Sequence, residues 1–164
     1  MTADGQVHPE HVEIDLAGFS DVTELLGPRA EYDPRTYLSI MLKPSMMALA
    51  LTFAFPRFVE HRGAVLLESA YDEEAVEAWF QQLDGDAVAV ELVMNHIHLW
   101  DVFAPSTAFE AETELLLAPL ATSWGAALRA AFPTRTFRVL TDPDGDYGPE
   151  LTFHSLTAEA SGSG

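Results

Sequence analysis

The chain has 164 residues, nearly half of them hydrophobic, and this length and composition fit one domain with a sizeable core. Its 26 acidic residues against eight basic ones give a net charge of −18, which argues against nucleic acid or an anionic membrane as a direct ligand, because both are bound through Lys and Arg. The absence of cysteine excludes a disulfide framework, a thiolate metal site and a cysteine nucleophile.

The N-terminal residues are polar and acidic and lack the positive start and apolar run of a secretory signal. The apolar run from Met46 to Phe55 is too short to cross a bilayer. We therefore predict a cytoplasmic protein. One acidic α+β domain is predicted over residues 1–157, followed by a disordered tail of small and polar residues over 158–164.

The first third of the chain contains three predicted strands and one predicted helix. Alternating apolar residues at Val12, Ile14 and Leu16 predict a short strand, and Ser20 can cap a helix that ends at Gly27. Residues 29–45 are ambiguous between a helix that begins at Asp33-Pro34 and a strand, and the strand is favoured. The second predicted strand covers Tyr37 to Leu42, and the third covers Ala48 to Phe55.

The clearest helix signal runs from Asp72 to Leu83. Asp72 is a suitable N-cap, and an apolar stripe with helical spacing follows it. Before this helix, Phe58 to Arg62 is predicted as a turn or short helix, and Ala64 to Ser69 as a strand.

Residues 87–103 carry the strongest strand signal, because large and small residues alternate up to Asn95. We predict two antiparallel strands with a turn at Asn95, or one long strand with a bulge there. In both cases His96 and His98 lie on the same face of the sheet.

The last third of the chain is predicted as a helix followed by a hairpin. Thr107 and Glu110 form a capping box for a helix that ends at Phe132, with a kink or break at Pro119. Strands are predicted over 134–141 and 151–156, joined by an acidic loop. The predicted fold is α+β: a mainly antiparallel sheet of hairpins with two main helices on one face, in the order hairpin, helix, hairpin, helix, hairpin.

Two histidines that project in the same direction from a strand can offer two nitrogens to one metal ion. His96 and His98 have this spacing, and His154 on the last strand is the best third ligand, ahead of three further residues: Asp101, Glu68 and His61. Zinc is the ion that suits imidazole and carboxylate without thiolate. A zinc-activated water could then attack a carbonyl or phosphoryl centre.

The acidic loop resembles the start of a calcium loop, with carboxylates at Asp142, Asp144 and Asp146. It departs from that pattern because Tyr147 stands where the sharp turn needs Gly, and Phe153 stands where a bidentate Glu is needed. A solvated hairpin loop is the better interpretation. The sequence also lacks the glycine-flanked serine of a nucleophile elbow and a glycine-rich phosphate loop.

These features favour a non-enzymatic module, without a cofactor, that binds a basic protein through an acidic face. An immunity protein or antitoxin that neutralises a basic nuclease would fit, because complementary charge speeds association. The residues predicted to contact the partner are acidic or aromatic: Glu91, Trp100, Asp101, Asp142, Asp144, Asp146 and Tyr147. The alternatives are a small zinc-dependent hydrolase that uses the His-x-His pair, and a structural subunit whose strand edges pair with another chain.

Overall fold

The structure is a computed structural model that describes residues 14–27, 34–103 and 110–156. Within these ranges helices surround two small antiparallel sheets, which confirms the predicted α+β class. The helices are α1 (Ser20–Leu26), α2 (Pro34–Met41), α3 (Pro44–Ala54), α4 (Glu73–Gln82), α5 (Ala87–Met94), α6 (Leu99–Val102), α7 (Glu110–Glu114) and α8 (Leu117–Ala131). The strands are β1 (Phe58–His61), β2 (Ala64–Leu67), β3 (Ile97–His98), β4 (Thr136–Asp142) and β5 (Glu150–Leu156).

One sheet is the β1–β2 hairpin, and the other has the strand order β3–β5–β4. The β1–β2 turn lies at Arg62 and Gly63, both with positive φ. Strands β4 and β5 form a long hairpin paired from Thr136 with Leu156 to Asp142 with Glu150. Strand β3 pairs with the start of β5, so residues far apart in the sequence meet at that end of the sheet.

Strand β2 is buried on both faces and separates two hydrophobic clusters. Val65 and Leu67 pack in the larger cluster with Trp124 of α8 and with β5, whereas Ala64 and Leu66 pack in the smaller one with α4 and α5. A strand buried on both sides reads as a continuous apolar run rather than an alternating one, as the sequence AVLL does.

Helix α5 joins the two sheets through polar side chains. Glu91 is fully buried and accepts hydrogen bonds from the backbone N–H of Val65 in β2 and of Ser155 in β5. One turn later, Asn95 accepts from Leu67 N at 2.9 Å and donates to the carbonyl of Val65 at 2.9 Å. These side chains satisfy backbone groups at the edges of β2 and β5, which do not pair with each other in the described sheets.

Three segments predicted as strands are helical, and those predictions are wrong. Tyr37 to Leu42 belongs mostly to α2, which begins at Pro34 as in the helix alternative, and Ala48 to Phe55 belongs mostly to α3. The central stretch is α5 in its first half and, after the two residues of β3, α6. Helix α3 begins with Pro44 at a position where a missing N–H costs nothing, and Ala and Leu are strong helix formers. In α5, the carboxylate of Asp86 accepts hydrogen bonds from two backbone N–H groups of the first turn.

The predicted order of hairpins and two main helices is therefore not the order of elements in the structure. Phe58 to Arg62, predicted as a turn or short helix, is mostly strand β1. The predicted break at Pro119 lies earlier, at residues 115–116 between α7 and α8, so Pro119 falls in the first turn of α8, where proline is tolerated.

Other predicted elements are confirmed. Helix α1 ends at Leu26 as predicted, although Phe19 and not Ser20 is its N-cap. Helix α4 is capped by Asp72, whose carboxylate accepts a hydrogen bond from Ala75 N. Strands β2, β4 and β5 overlap the ranges predicted for them. Val12, Thr107 and the 158–164 tail lie outside the described residues. The strand predicted at Val12, Ile14 and Leu16 is wrong at its described residues, because Ile14 is in no strand and Leu16 begins a short 3-10 helix, Leu16–Gly18.

In the described ranges, no single helix is both long and apolar enough to cross a membrane. Residues Arg35–Met41 and helix α3 reach the required length and hydropathy only when they are counted as one segment, and the chain bends by 116° between them.

Candidate metal centre

Two histidines and a glutamate meet where β3 pairs with β5. The antiparallel register sets His98 directly opposite Glu150, and His96 precedes β3 by one residue. Because residues two apart in an extended segment project to the same side, both imidazoles face the glutamate. Their ring centroids lie 4.6 Å apart.

The three side chains are close enough to share one ion. Glu150 Oε2 lies 3.1 Å from His96 Nε2, and Glu150 Oε1 lies 3.3 Å from His98 Nδ1. One ligand atom from each residue lies within 4.8 Å of the others. Ligands bound about 2.0–2.2 Å from a tetrahedral zinc ion are roughly 3.4 Å from one another, so the two His–Glu separations already match.

The contact between Glu150 and His98 leaves a nitrogen unsatisfied. Although Nδ1 of His98 is within ion-pair distance of Glu150, it is buried and makes no hydrogen bond to any described residue. A buried polar atom without a partner costs about 1–3 kcal/mol, and a metal ion would use its lone pair. The side chains remain partly open to solvent, at 36% exposed for His96, 28% for His98 and 21% for Glu150.

The loop over 143–149 packs tightly onto this group. A Cβ at Gly145 would lie 2.6 Å from Cγ of Glu150, and one at Gly148 would lie 2.6 Å from Cε2 of Trp100. The ring of Tyr147 stands edge-on to His98, with centroids 5.5 Å apart, and also contacts the ring of Trp100 at 6.1 Å. Small residues therefore let the loop backbone approach the candidate ligands closely.

Most of the predicted partner-contact residues belong to the same region. Asp142, Asp144 and Asp146 are exposed at the end of β4 and along the loop, and Tyr147 is 60% exposed. Asp101 is exposed on α6, next to the half-buried Trp100. We call the exposed carboxylates of this region the acidic rim: Asp101, Asp142, Asp144 and Asp146.

Glu91 does not belong to any contact face. Its prediction as a partner-contact residue needs correction, because the side chain is fully buried between the two sheets. It accepts from Val65 N at 2.7 Å and from Ser155 Oγ at 2.7 Å, and Arg135 Nη2 lies 3.6 Å away. These contacts give Glu91 a structural role.

The predicted third ligand, His154, does not join the two histidines. It lies on the same side of β5 as Glu150 but four residues further on, which is about 13 Å along an extended strand. Two of the other candidates have partners elsewhere. His61 Nε2 lies 2.7 Å from Glu77 and its Nδ1 lies 3.1 Å from the hydroxyl of Tyr71, and Glu68 pairs with Arg57.

Glu150 is the candidate ligand that the sequence did not single out. The last strand was the right element, but the residue that meets β3 depends on the register between two strands more than 50 positions apart. A signal was present in the alternation of β5, because Glu150 shares a face with Thr152 and His154.

Searches of protein-family models, curated proteins and solved structures found no match to this chain.

Proposed function

We propose that the protein binds one zinc ion through His96, His98 and Glu150 and acts as a small metal-dependent hydrolase. The observation that supports this most strongly is the convergence of two imidazole nitrogens and one carboxylate within 4.8 Å. The distances from Glu150 to the histidines, 3.1 and 3.3 Å, suit a shared tetrahedral ion.

The chemistry of the three ligands favours zinc among the common divalent ions. Imidazole and carboxylate suit zinc, whereas calcium and magnesium prefer oxygen ligands alone. Two histidines and a glutamate are a known ligand set of catalytic zinc sites. In such sites a water molecule occupies the fourth position, and the zinc ion lowers the pKa of that water to about 7.

The surroundings restrict the substrate. The acidic rim and a net charge of −18 repel anionic phosphoryl groups, so a neutral or cationic ester or amide is the favoured substrate class.

Zinc titration of the chelator-treated protein tests the site, with calorimetry and metal analysis as readouts. We expect one zinc ion per chain, and we expect Glu150→Gln and His98→Ala each to weaken binding at least about tenfold, as loss of one ligand should. His154→Ala is the matched control, since it removes an imidazole from the same strand outside the group. Failure of the wild-type protein to bind zinc, or an equal loss in the control, would contradict the proposal.

Activity is tested separately, on neutral and cationic chromogenic esters with the zinc-loaded protein. We expect turnover that disappears in Glu150→Gln and persists in His154→Ala. If the protein binds one zinc ion per chain but hydrolyses neither class of ester, the metal site is supported and the hydrolase activity is contradicted.

A second function is favoured by the exposure of the acidic rim, which would suit a basic protein partner such as a nuclease toxin. Long-range attraction of this kind is screened by salt, with a Debye length of about 30 Å at 0.01 M and about 8 Å at 0.15 M. Retention of a basic protein from lysate at low salt, lost at high salt and lost in a variant with Asp142, Asp144 and Asp146 all changed to Asn, would support it. Unchanged retention by that triple variant would remove the rim from the interface.

A further inference from the structure

Helix α3 is apolar on every side and lies largely exposed. All its residues from Pro44 to Thr52 are exposed, including Leu49 at 70% and Met46 at 53%. Its C-terminal end is anchored: Nε1 of Trp124 donates to the carbonyl of Phe53 at 3.0 Å, and the two rings pack edge to face. A helix that is apolar all round is normally one that other surfaces enclose.

The exposed surface continues beyond α3. Ile40 and Met41 at the end of α2 are exposed, as is Phe55 after α3. Beside the C-terminal half of α3 lies a groove of about 560 Å³. Most of its lining is apolar, from Leu51, Phe53, Phe55, Leu67, Ile97 and Trp124, and the ion pair of Arg57 with Glu68 also lines it. The large exposed apolar patches of soluble chains usually mark interaction sites.

The charge distribution singles out the same segment. No acidic residue occurs between Pro34 and Val59, although the whole chain carries 26, and three of its eight basic residues, Arg35, Lys43 and Arg57, lie there. Carboxylates of other elements approach both ends of this segment: Tyr37 of α2 donates a hydrogen bond to Asp21 and lies near Glu112, and Glu68 pairs with Arg57 beyond α3. The length of α3 itself carries no charge.

We propose that α3 is the contact surface between two copies of this chain. Two molecules with a net charge of −18 repel each other over most of their surfaces, and an uncharged apolar helix is where they can approach. A two-fold contact requires a self-complementary surface, which an uncharged helix beside a mostly apolar groove provides. In the dimer, α3 of each copy lies along the groove of the other, which covers the faces that its own α8 leaves open.

A lipid surface is a poorer occupant for α3. Helices that lie in a membrane interface carry a strongly polar or charged face, and the only polar side chains of α3 are Ser45 and Thr52. The net charge also opposes approach to anionic lipid.

Sedimentation velocity over a range from about 1 to about 200 μM tests the proposal, because a dimer makes the mass depend on concentration. The mass should rise from 18.0 kDa toward twice that value. Leu49→Glu and Leu51→Glu should each weaken the dimer at least tenfold, and neither side chain is buried, so the fold should persist. Leu156→Glu, with the same charge change at an exposed leucine outside α3, should leave the dimer unchanged.

Salt gives a second readout. Adding NaCl should tighten the dimer, because it screens repulsion between two acidic molecules, whereas an interface built on acidic and basic patches would weaken. A mass that stays at 18.0 kDa throughout, or an equal effect of Leu156→Glu, overturns the proposal. So does a monomer that floats with phosphatidylcholine vesicles, which would assign α3 to lipid.

Discussion

Gly148 combines a backbone conformation that favours glycine with a contact that leaves no room for a side chain. Its φ is +87°, and a Cβ there would overlap the ring of Trp100. Gly63 has nearly the same backbone conformation, with φ +88°, but a Cβ added there would have no neighbouring atom within 4 Å. The pair therefore separates the cost of the backbone conformation from the cost of the contact.

We expect Gly148→Ala to lower the free energy of unfolding by more than Gly63→Ala does. Placing alanine at positive φ costs about 1–2 kcal/mol in both variants, and only Gly148→Ala must also displace Trp100. Urea unfolding of the two variants measures the difference. The displaced loop should also weaken zinc binding in Gly148→Ala alone. If both variants lose the same unfolding free energy, Trp100 can move away from an added Cβ without a measurable loss of stability.

The sequence could place the two histidines together but could not supply their partner. His96 and His98 are two apart, so one extended segment is enough to bring them to the same side. Glu150 and His154 share a face of β5, and only the pairing of His98 with Glu150 decides which one is near. That register depends on packing across the whole sheet, which local alternation does not encode.

Among the elements, α5 was the most misleading in the sequence. Its residues alternate between small and large apolar side chains, which is a strand pattern, and the helix is apolar on nearly all sides because it packs between α4, β2 and β5. The helical signals were polar: Asp86 at the N-cap, and Glu91 and Asn95 four residues apart. Buried polar residues at that spacing outweigh alternation when strands of two different sheets need hydrogen-bond partners.

The bridge made by α5 gives a prediction for Glu91. In Glu91→Gln, one carboxylate oxygen becomes an NH₂ group that faces backbone N–H donors of β2 or β5, and a partner of Arg135 is lost. We expect the free energy of unfolding to fall by about 2–4 kcal/mol. Glu60→Gln is the control, because Glu60 also lies near Arg135, at 3.7 Å, but is exposed. Chemical unfolding in which both variants lose the same stability would rule out the bridge.

Helices α1 and α2 are linked by a hydrogen bond from the hydroxyl of Tyr37 to the carboxylate of Asp21. This bond, together with burial, raises the pKa of Tyr37 to about 12 from an ordinary value of 10.0. Because the folded-state pKa is the higher one, the stability that this bond adds is complete below about pH 10 and is lost as the pH rises through 12.

Ultraviolet absorbance of tyrosinate follows this titration directly. Of the four tyrosines, one should ionise about two pH units above the ordinary value, and that step should be missing in Tyr37→Phe. Tyr147→Phe, which removes an exposed tyrosine far from α1 in the chain, should leave the late step in place. A late step that survives Tyr37→Phe would assign the raised pKa to another residue.

At the scale of the whole molecule, composition sets the net charge, and the structure shows that the exposed helix α3 carries none of it. The α+β class also followed from the sequence, because α4 and the β4–β5 hairpin carry strong periodic signals. The position of α3 did not follow, since an all-apolar run has no period and gives no information about which side is covered.

The net charge of −18 should make the folded state sensitive to salt. Compact structure holds the carboxylates closer together than the unfolded chain does, so their repulsion destabilises the fold and screening relieves it. Exposed ion pairs such as Arg57 with Glu68 act in the opposite direction but contribute little, typically about 0–1 kcal/mol each. We therefore expect the urea midpoint at neutral pH to rise when NaCl is added, at protein concentrations where the mass is that of a monomer.

The same titration near pH 4.4, the isoelectric point of the sequence, is the control, because the net charge there is close to zero and added salt has little repulsion to screen. The salt effect should vanish at that pH if repulsion is its cause. A urea midpoint that falls with salt at neutral pH would contradict this. It would mean that ion pairs such as Arg62 with Glu77 and Arg135 with Glu91 stabilise the fold by more than repulsion among the 26 acidic residues destabilises it.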